Sequence, residues 1–476
     1  MEQVYKQKFL FRNRFFVPVW WLFLTVLLFF FCWIQGNTFF PYDASAYWSW
    51  GGSFWDPSFS FQNYPECIRG YLLPFILGLG SRLSSAVFGN PYYIYWLTYS
   101  TCIVLLVAYL LPALLHVDFF SWRYILGTLV CTLLVLYFWG DLLITPLSDI
   151  PALTAYMGVV LLICRLFSSA KLSLSTSLMG VGAGLLSYAS YNIRTVYLYP
   201  LLLLWLVFFV YSIYKRRWFN VLIIILAVIG AILIAIPQSI INMNHYNTYL
   251  PFILTPYAGK SNLFLAQLVL GISYPRYETY VGDNSLFPSA SVYFVNDIGS
   301  ALAAEQEISS IFSFVVWAFA HFLDACALYW EHLVSCITIF WRETYLTEIG
   351  IDTGAYLLNC AIYILALVSA IASTAGKKFR LAYIYACLPF GIILLPAFMA
   401  LFGAVEIRFF LVVYLLVYGF LAFKVDYKMV FSYVRTHKLF VAVLIFAVFF
   451  TWNTMASHLL AEVEPGTLTL SGAYYD

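Results

Sequence analysis

Long apolar runs separated by short polar clusters dominate this chain. The runs lie near 16–35, 91–115, 124–140, 152–168, 176–193, 195–214, 219–242, 354–374, 381–401, 408–423 and 440–456. A helix crosses about 30 Å of hydrocarbon with about 20 apolar residues, so each run predicts a transmembrane helix. The runs at 176–193 and 195–214 are interrupted only by Asn192 and Arg194. Together they are too long for one span, and an arginine at a helix centre costs roughly 2.5–3.5 kcal/mol on insertion scales. A tight hairpin with Arg194 at its turn solves both problems. Two stretches are ambiguous. Residues 71–89 are short and contain Pro74, three glycines and Arg82, which suits a re-entrant or interfacial helix. Residues 311–340 are long enough to span but carry His321, Asp324, Glu331 and His332. Two mid-helix acids are expensive in lipid, so this stretch is expected not to span.

Composition narrows the class. Of 476 residues 63% are hydrophobic and 10% charged, with a mean hydropathy of +0.87. No water-soluble core of this size needs so much apolar surface. The expected fold class is an all-α polytopic membrane protein with about 11 transmembrane helices and large external loops. A net charge of +2 gives no reason to expect nucleic acid as a partner.

Charge patterning sets the expected orientation. Lys6, Lys8, Arg12 and Arg14 precede the first run, so the N-terminus is expected in the cytoplasm. With 71–89 and 311–340 left out of the bilayer, 17 of the 24 basic residues fall inside, in clusters at 6–14, 123, 165–171, 215–217, 377–380 and 424–438. Only Glu2, Asp118 and Asp426 of the 22 acids join them. If 311–340 spanned, the clusters at 377–380 and 424–438 would flip outward and the asymmetry would collapse. The predicted organisation is an N-terminal transmembrane module at 1–242 with a first external loop at 36–90, an external lid-like loop with an interfacial helix at 243–353, and C-terminal transmembrane helices at 354–476. The first helix lacks a clear small-x-small cleavage site and reads as a retained anchor. Of nine cysteines only Cys67 stands clearly in an external loop, so no disulfide framework is expected. The GVGAG at 180–184 suits close helix packing.

The remaining charged residues gather on the external side. Asp43 stands in PYDASAYWSWGG among Tyr42, Tyr47, Trp48 and Trp50. A carboxylate in an aromatic setting just above the bilayer suits a general base, and the rings suit stacking on a sugar or an interfacial belt. Glu66 and Arg69 in NYPECIRGYLLP suit an ion pair that shapes the loop. Ser148 and Asp149 in DLLITPLSDIPA read equally as a helix start. Arg194 has no acid near it in sequence and, beside Tyr188, Tyr191 and Tyr197, suits a phosphate group or headgroup snorkelling. Glu406 and Arg408 in GAVEIRFF are two apart, so on a helix they would point in different directions. Arg408 is a second candidate phosphate ligand. His321 with Asp324, and Glu331 with His332, supply too few ligands for a metal centre.

Taken in order, PYDASAYW (41–48), NYPE (63–66), TPLSDIPA (145–152), GVGAGLLSYASYNIRTVYLYP (180–200) and VEIRFF (405–410) resemble the GT-C superfamily of membrane glycosyltransferases, which use polyprenyl-phosphate-linked sugars. The resemblance implies a GT-C-like bundle and transfer of a sugar to an acceptor hydroxyl, which by direct displacement inverts the anomeric configuration. Because the charged residues gather on the external side, a cell-envelope glycan is the expected acceptor, and compactness without a eukaryotic retention signal suits a bacterial cell membrane. The resemblance implies Asp43 as catalytic base and Asp149 as the second-loop acid. It also puts Arg194 and Arg408 near the lipid phosphate. Glu406, Glu66, Arg69, Tyr47 and Trp48 are further candidate substrate-binding residues on the external side. Asp43 stands outside any Asp-x-Asp pair and Asp149 outside any Asp-x-Glu, so a divalent metal is not favoured and no cofactor is expected. Two alternatives stay open. A lipid-linked polysaccharide polymerase or ligase needs more basic groups than Lys260, Arg276 and Arg342 in the large loop. A transporter or flippase predicts ionisable groups at mid-membrane depth and repeated halves, and neither is visible.

Overall fold

The computed structural model describes residues 15–36, 38–62, 64, 69–254, 263–279, 281, 291–294, 308–347, 350–375, 381–403, 405–461 and 463–466. The basic cluster at 6–14, Glu66, Cys67, Lys260 and the cluster at 377–380 lie outside them.

The chain is an all-α polytopic membrane protein. Among the described residues nine helices are long and apolar enough to cross a membrane, or ten if one bent pair counts as a span. The nine are Phe16–Gln35, Tyr93–Leu114, Trp122–Trp139, Asp149–Ser168, Thr195–Tyr214, Phe219–Tyr246, Thr353–Thr374, Ile407–Lys424 and Lys438–Leu460. The runs near 176–193 and 381–401 also form helices, Leu174–Ile193 and Leu381–Ala400. Serines and glycines make Leu174–Ile193 less apolar than the nine, and part of Leu381–Ala400 has side chains outside the described set.

Two compact units divide the chain. The first comprises Met1–Leu136, Leu142–Leu254 and Leu381–Pro396. The second comprises Tyr137–Asp141, Thr255–Arg380 and Ala397–Asp476.

In the first unit, GVGAG brings two helices into backbone contact. A Cβ at Gly184 would stand 1.8 Å from the Ala227 carbonyl oxygen, so only glycine lets Leu174–Ile193 lie this close to Phe219–Tyr246. The predicted break occurs at Arg194, which ends the Leu174–Ile193 helix in extended backbone. The chain then turns through Thr195–Tyr197 into Leu198–Tyr214. The Trp205 indole donates to the Ser187 hydroxyl (3.0 Å), which closes the hairpin. Residues 71–89 form the short helix Leu72–Phe88, which packs on Tyr42–Ser53.

In the second unit, Ile311–Ala320 and Phe322–Cys336 meet at 106° with His321 at the break. They therefore form no straight span. Three short strands, Arg276–Thr279, Ser291–Phe294 and Val463–Gly466, make one antiparallel sheet in that order. Phe340, Trp341, Tyr356, Cys360 and Trp452 share one core, and Leu265, Leu268, Ile272, Phe314 and Trp317 another.

Candidate functional site

Two loops and two helix ends of the first unit bring Asp43, Arg69, Tyr47, Ser148, Asp149 and Arg194 together. Asp43 occupies the first turn of Tyr42–Ser53. The preceding Tyr42 has φ of 47°, a left-handed conformation that costs about 1–3 kcal/mol in a side-chain-bearing residue. Asp43 forms an ion pair with Arg69, and the two side chains keep 32% and 25% of their surface exposed. The sequence suits a pair of Arg69 with Glu66, which lies outside the described residues. Arg69 reaches Asp43 because the start of the Leu72–Phe88 helix lies against the Asp43 helix.

Asp149 forms the first turn of the Asp149–Ser168 helix, with Ser148 at the cap position but without a side-chain cap bond. Both side chains instead face Arg194. The Arg194 guanidinium bonds to the Asp149 carboxylate and donates to the Ser148 hydroxyl (3.3 Å). The expectation of an arginine without an acid partner is therefore corrected, since the hairpin returns Arg194 to the start of the preceding span. This second pair is tighter, with 14% and 4% of the two side chains exposed.

Tyr47 lies among the two pairs. Its ring sits under Arg69, 5.4 Å from the guanidinium carbon to the centroid. Burial pushes its phenol above the ordinary tyrosine range, and the neighbouring charges of Arg69 and Arg194 oppose that shift. Only 1% of the residue is exposed, so stacking of its ring on a sugar is corrected too. The hydroxyl makes no well-aligned hydrogen bond among the described residues, and the Ser148 hydroxyl is the polar group next to it. Trp48 stacks on Tyr92 (5.2 Å between centroids) and meets Phe40 and Tyr95 edge-on, so it belongs to an aromatic wall behind Asp43.

An amide relay fixes the two arginines relative to each other. The Asn192 backbone carbonyl accepts from Gly70 N–H (3.1 Å), and its side-chain oxygen accepts from Leu72 N–H (2.9 Å). A Cβ at Gly70 would stand 2.2 Å from that carbonyl oxygen, so the residue after Arg69 must be glycine for this approach. Asn192 donates to Gln238 and Gln238 to Asn242, both at 3.1 Å. Asn242 ends the relay on the carbonyls of Leu250 and Phe252. Asn192 was visible in the sequence only as an interruption of an apolar run. Gln238 and Asn242, one helical turn apart in PQSIINM, were the signal for the rest.

Beside this cluster an apolar cavity of about 440 Å³ runs between helices of the first unit. Tyr99 and Ile193 line it near the ion pairs, and Leu105, Leu162 and Arg165 line it farther along. Tyr99 donates to the Leu147 carbonyl (2.5 Å), next to Ser148. A π-helical turn at Leu105–Leu110 contributes Leu105, Tyr109 and Leu110 to the wall. At the Arg165 position the guanidinium donates to the Tyr109 hydroxyl (2.8 Å).

Glu406 and Arg408 belong to the second unit. They do not diverge as helix spacing implied, because Glu406 is extended and precedes a 3₁₀ turn, Ile407–Phe410. Arg408 therefore folds back onto the Glu406 carboxylate. A second pair, absent from the sequence-based expectations, lies beside it. Arg276 is fully buried, bonds Glu278 (2.7 Å), and donates to the carbonyls of Ser335 (2.6 Å) and Thr338 (2.7 Å). Its guanidinium lies near the rings of Phe340 and Trp341. The Thr279 hydroxyl reaches Glu406 (3.5 Å), and Ile407 N–H reaches Glu278 (3.4 Å), which joins the two pairs. Elsewhere in this unit His332 bonds the Gly271 carbonyl (2.9 Å) and His321 packs on Trp317. Among the described residues no group of three histidine, cysteine or acidic side chains is placed to hold a metal ion.

Comparison of the chain with protein-family models, with curated proteins and with solved structures finds no match.

Proposed function

We propose that this protein is a GT-C-like inverting glycosyltransferase that takes its sugar from a polyprenyl-phosphate donor. The observation that carries the reading is the convergence of Asp43, Arg69, Asp149 and Arg194 beside an apolar cavity, although these residues are up to 151 positions apart in the chain. Such a juxtaposition suits a ligand with an anionic head and a hydrocarbon tail. In the proposed reaction the donor tail lies in the apolar cavity and its phosphate meets Arg194 and Arg69. Asp43, the more exposed carboxylate, accepts the proton of an acceptor hydroxyl as that oxygen attacks the anomeric carbon. The bond from the anomeric carbon to the phosphate oxygen breaks, its electron pair leaves with polyprenyl phosphate, and the configuration inverts. The arginines stabilise the charge that grows on the leaving phosphate. Asp149 holds Arg194 in place. Glu406 and Arg408 shape the second unit.

The site is proposed to face the exterior of a bacterial cell membrane, because the basic clusters gather on the opposite side, and the acceptor is proposed to be a cell-envelope glycan. The polymerase or ligase alternative is less well supported. Of the three basic residues in the large loop, Arg276 and Arg342 are engaged by Glu278 and Asp352. The test is incubation of the purified chain with a panel of polyprenyl-phosphate sugars and a glycan acceptor. Release of polyprenyl phosphate with one sugar added per acceptor is expected. A ladder of products from a pyrophosphate-linked donor only would overturn the reading.

A further inference from the structure

A buried polar group without a well-aligned hydrogen bond calls for a reason, because leaving one unsatisfied costs about 1–3 kcal/mol. The Tyr47 hydroxyl is one such group among the described residues, and it lies near both arginine–carboxylate pairs described above. Phenylalanine would fill the same volume without that cost. The surroundings show what the hydroxyl suits. Arg69 covers its ring, and Arg194 is close enough to act on it electrostatically. The Ser148 hydroxyl stands beside it and already accepts from Arg194. Arg69 and Arg194 thus flank the buried phenol, and the Arg69 and Asp43 side chains beside it stay partly exposed. A phenol O–H can donate one hydrogen bond. Two guanidinium groups and a phenol donor suit a phosphate or phosphodiester group better than a sugar hydroxyl, which both donates and accepts.

We propose that Tyr47 is a phosphate-binding residue, its hydroxyl donating to a non-bridging oxygen of a lipid-linked phosphate held between Arg69 and Arg194. This rests on the glycosyltransferase reading for the identity of the lipid, but it makes a separate claim about one atom.

The experiment compares the full-length wild type with Tyr47→Phe in detergent, using farnesyl phosphate and farnesol as probes and tryptophan fluorescence as the binding signal. The wild type is expected to bind the phosphate more tightly than the alcohol. Tyr47→Phe should weaken farnesyl phosphate binding about tenfold or more, as for loss of a hydrogen bond to a charged group, and leave farnesol binding unchanged. The thermal midpoint should stay level or rise, because the variant removes an unsatisfied hydroxyl. A purely structural hydroxyl would give the opposite pattern, with a lower midpoint and no loss specific to the phosphate, and that result overturns the proposal. A wild type that prefers the phosphate, with an unchanged variant, overturns the role of Tyr47 alone. A wild type with no preference overturns the phosphate site itself and the reading on which it rests.

Discussion

Among the described residues each compact unit holds one cluster of two arginine–carboxylate pairs, and the two clusters differ in what surrounds them. In the second unit Arg276 and Glu278 retain 1% and 4% side-chain exposure, and Arg408 and Glu406 retain 10% and 6%. Backbone carbonyls, a backbone N–H and aromatic faces complete their contacts. Such a network ties the Arg276–Thr279 strand to the turn at Ile407–Phe410 and has little left to offer a ligand. In the first unit Asp43 and Arg69 stay a quarter to a third exposed, the Asp149–Arg194 pair is intermediate, and a phenol hydroxyl beside them makes no well-aligned hydrogen bond. The same residue types therefore serve two purposes. A sealed pair ties the fold together, whereas in the proposed reading an open pair next to an apolar cavity receives a charged lipid.

That contrast can be broken by substitution. The largest effect is expected for Arg276→Ala or Glu278→Ala. Removing one partner of a buried pair costs about 3–5 kcal/mol, so either variant should fail to accumulate as folded, detergent-soluble protein in size-exclusion analysis. Changing both to Met and Leu should recover only part of the loss, because the carbonyls of Ser335 and Thr338 would still lack their donor. Next comes Asp43→Asn. Loss of a general base lowers turnover about 10²–10⁴-fold, while loss of an exposed pair costs at most about 1 kcal/mol of stability. Rate and thermal midpoint measured on one preparation separate the two effects. Asp149→Ala should fall between, with a stability loss of about 1–3 kcal/mol in thermal unfolding and weaker donor binding, because Arg194 loses its anchor.

The smallest effect concerns Asp141, in the second unit. Burial holds its carboxyl above the usual carboxylate range, opposed by the Thr344 N–H that donates to it (2.7 Å). The folded state thus favours the protonated acid. This contribution is full at pH below the ordinary carboxylate value and is lost as pH rises through the elevated one. Asp141→Asn should flatten that decline when midpoints are compared from acidic to neutral pH.

Hydrophobic runs of membrane length made the fold class and most helices legible in the sequence. The cost of Arg194 in mid-span also made its hairpin legible, and the glycines at 180–184 announced the close contact with Phe219–Tyr246. The pairings were not legible. Arg69 meets an acid 26 residues away and Arg194 one 45 residues away, and helix packing rather than spacing decides such contacts. Glu406 and Arg408 misled because helical geometry was assumed where the backbone is extended. Arg276 and Glu278 sit in a four-residue strand whose Arg-Tyr-Glu-Thr pattern reads as an exposed edge, and their burial depends on carbonyls about 60 residues away.

The most direct measurement sets Asp43→Asn beside Glu406→Gln. Both proteins would be purified, their thermal midpoints recorded, and polyprenyl phosphate release followed with the sugar donor that the wild type uses. The account predicts that Asp43→Asn keeps its midpoint and loses release, while Glu406→Gln lowers the midpoint and retains release in the fraction that stays folded. Release that survives in folded Asp43→Asn but vanishes in folded Glu406→Gln would contradict it and move the chemistry to the second unit.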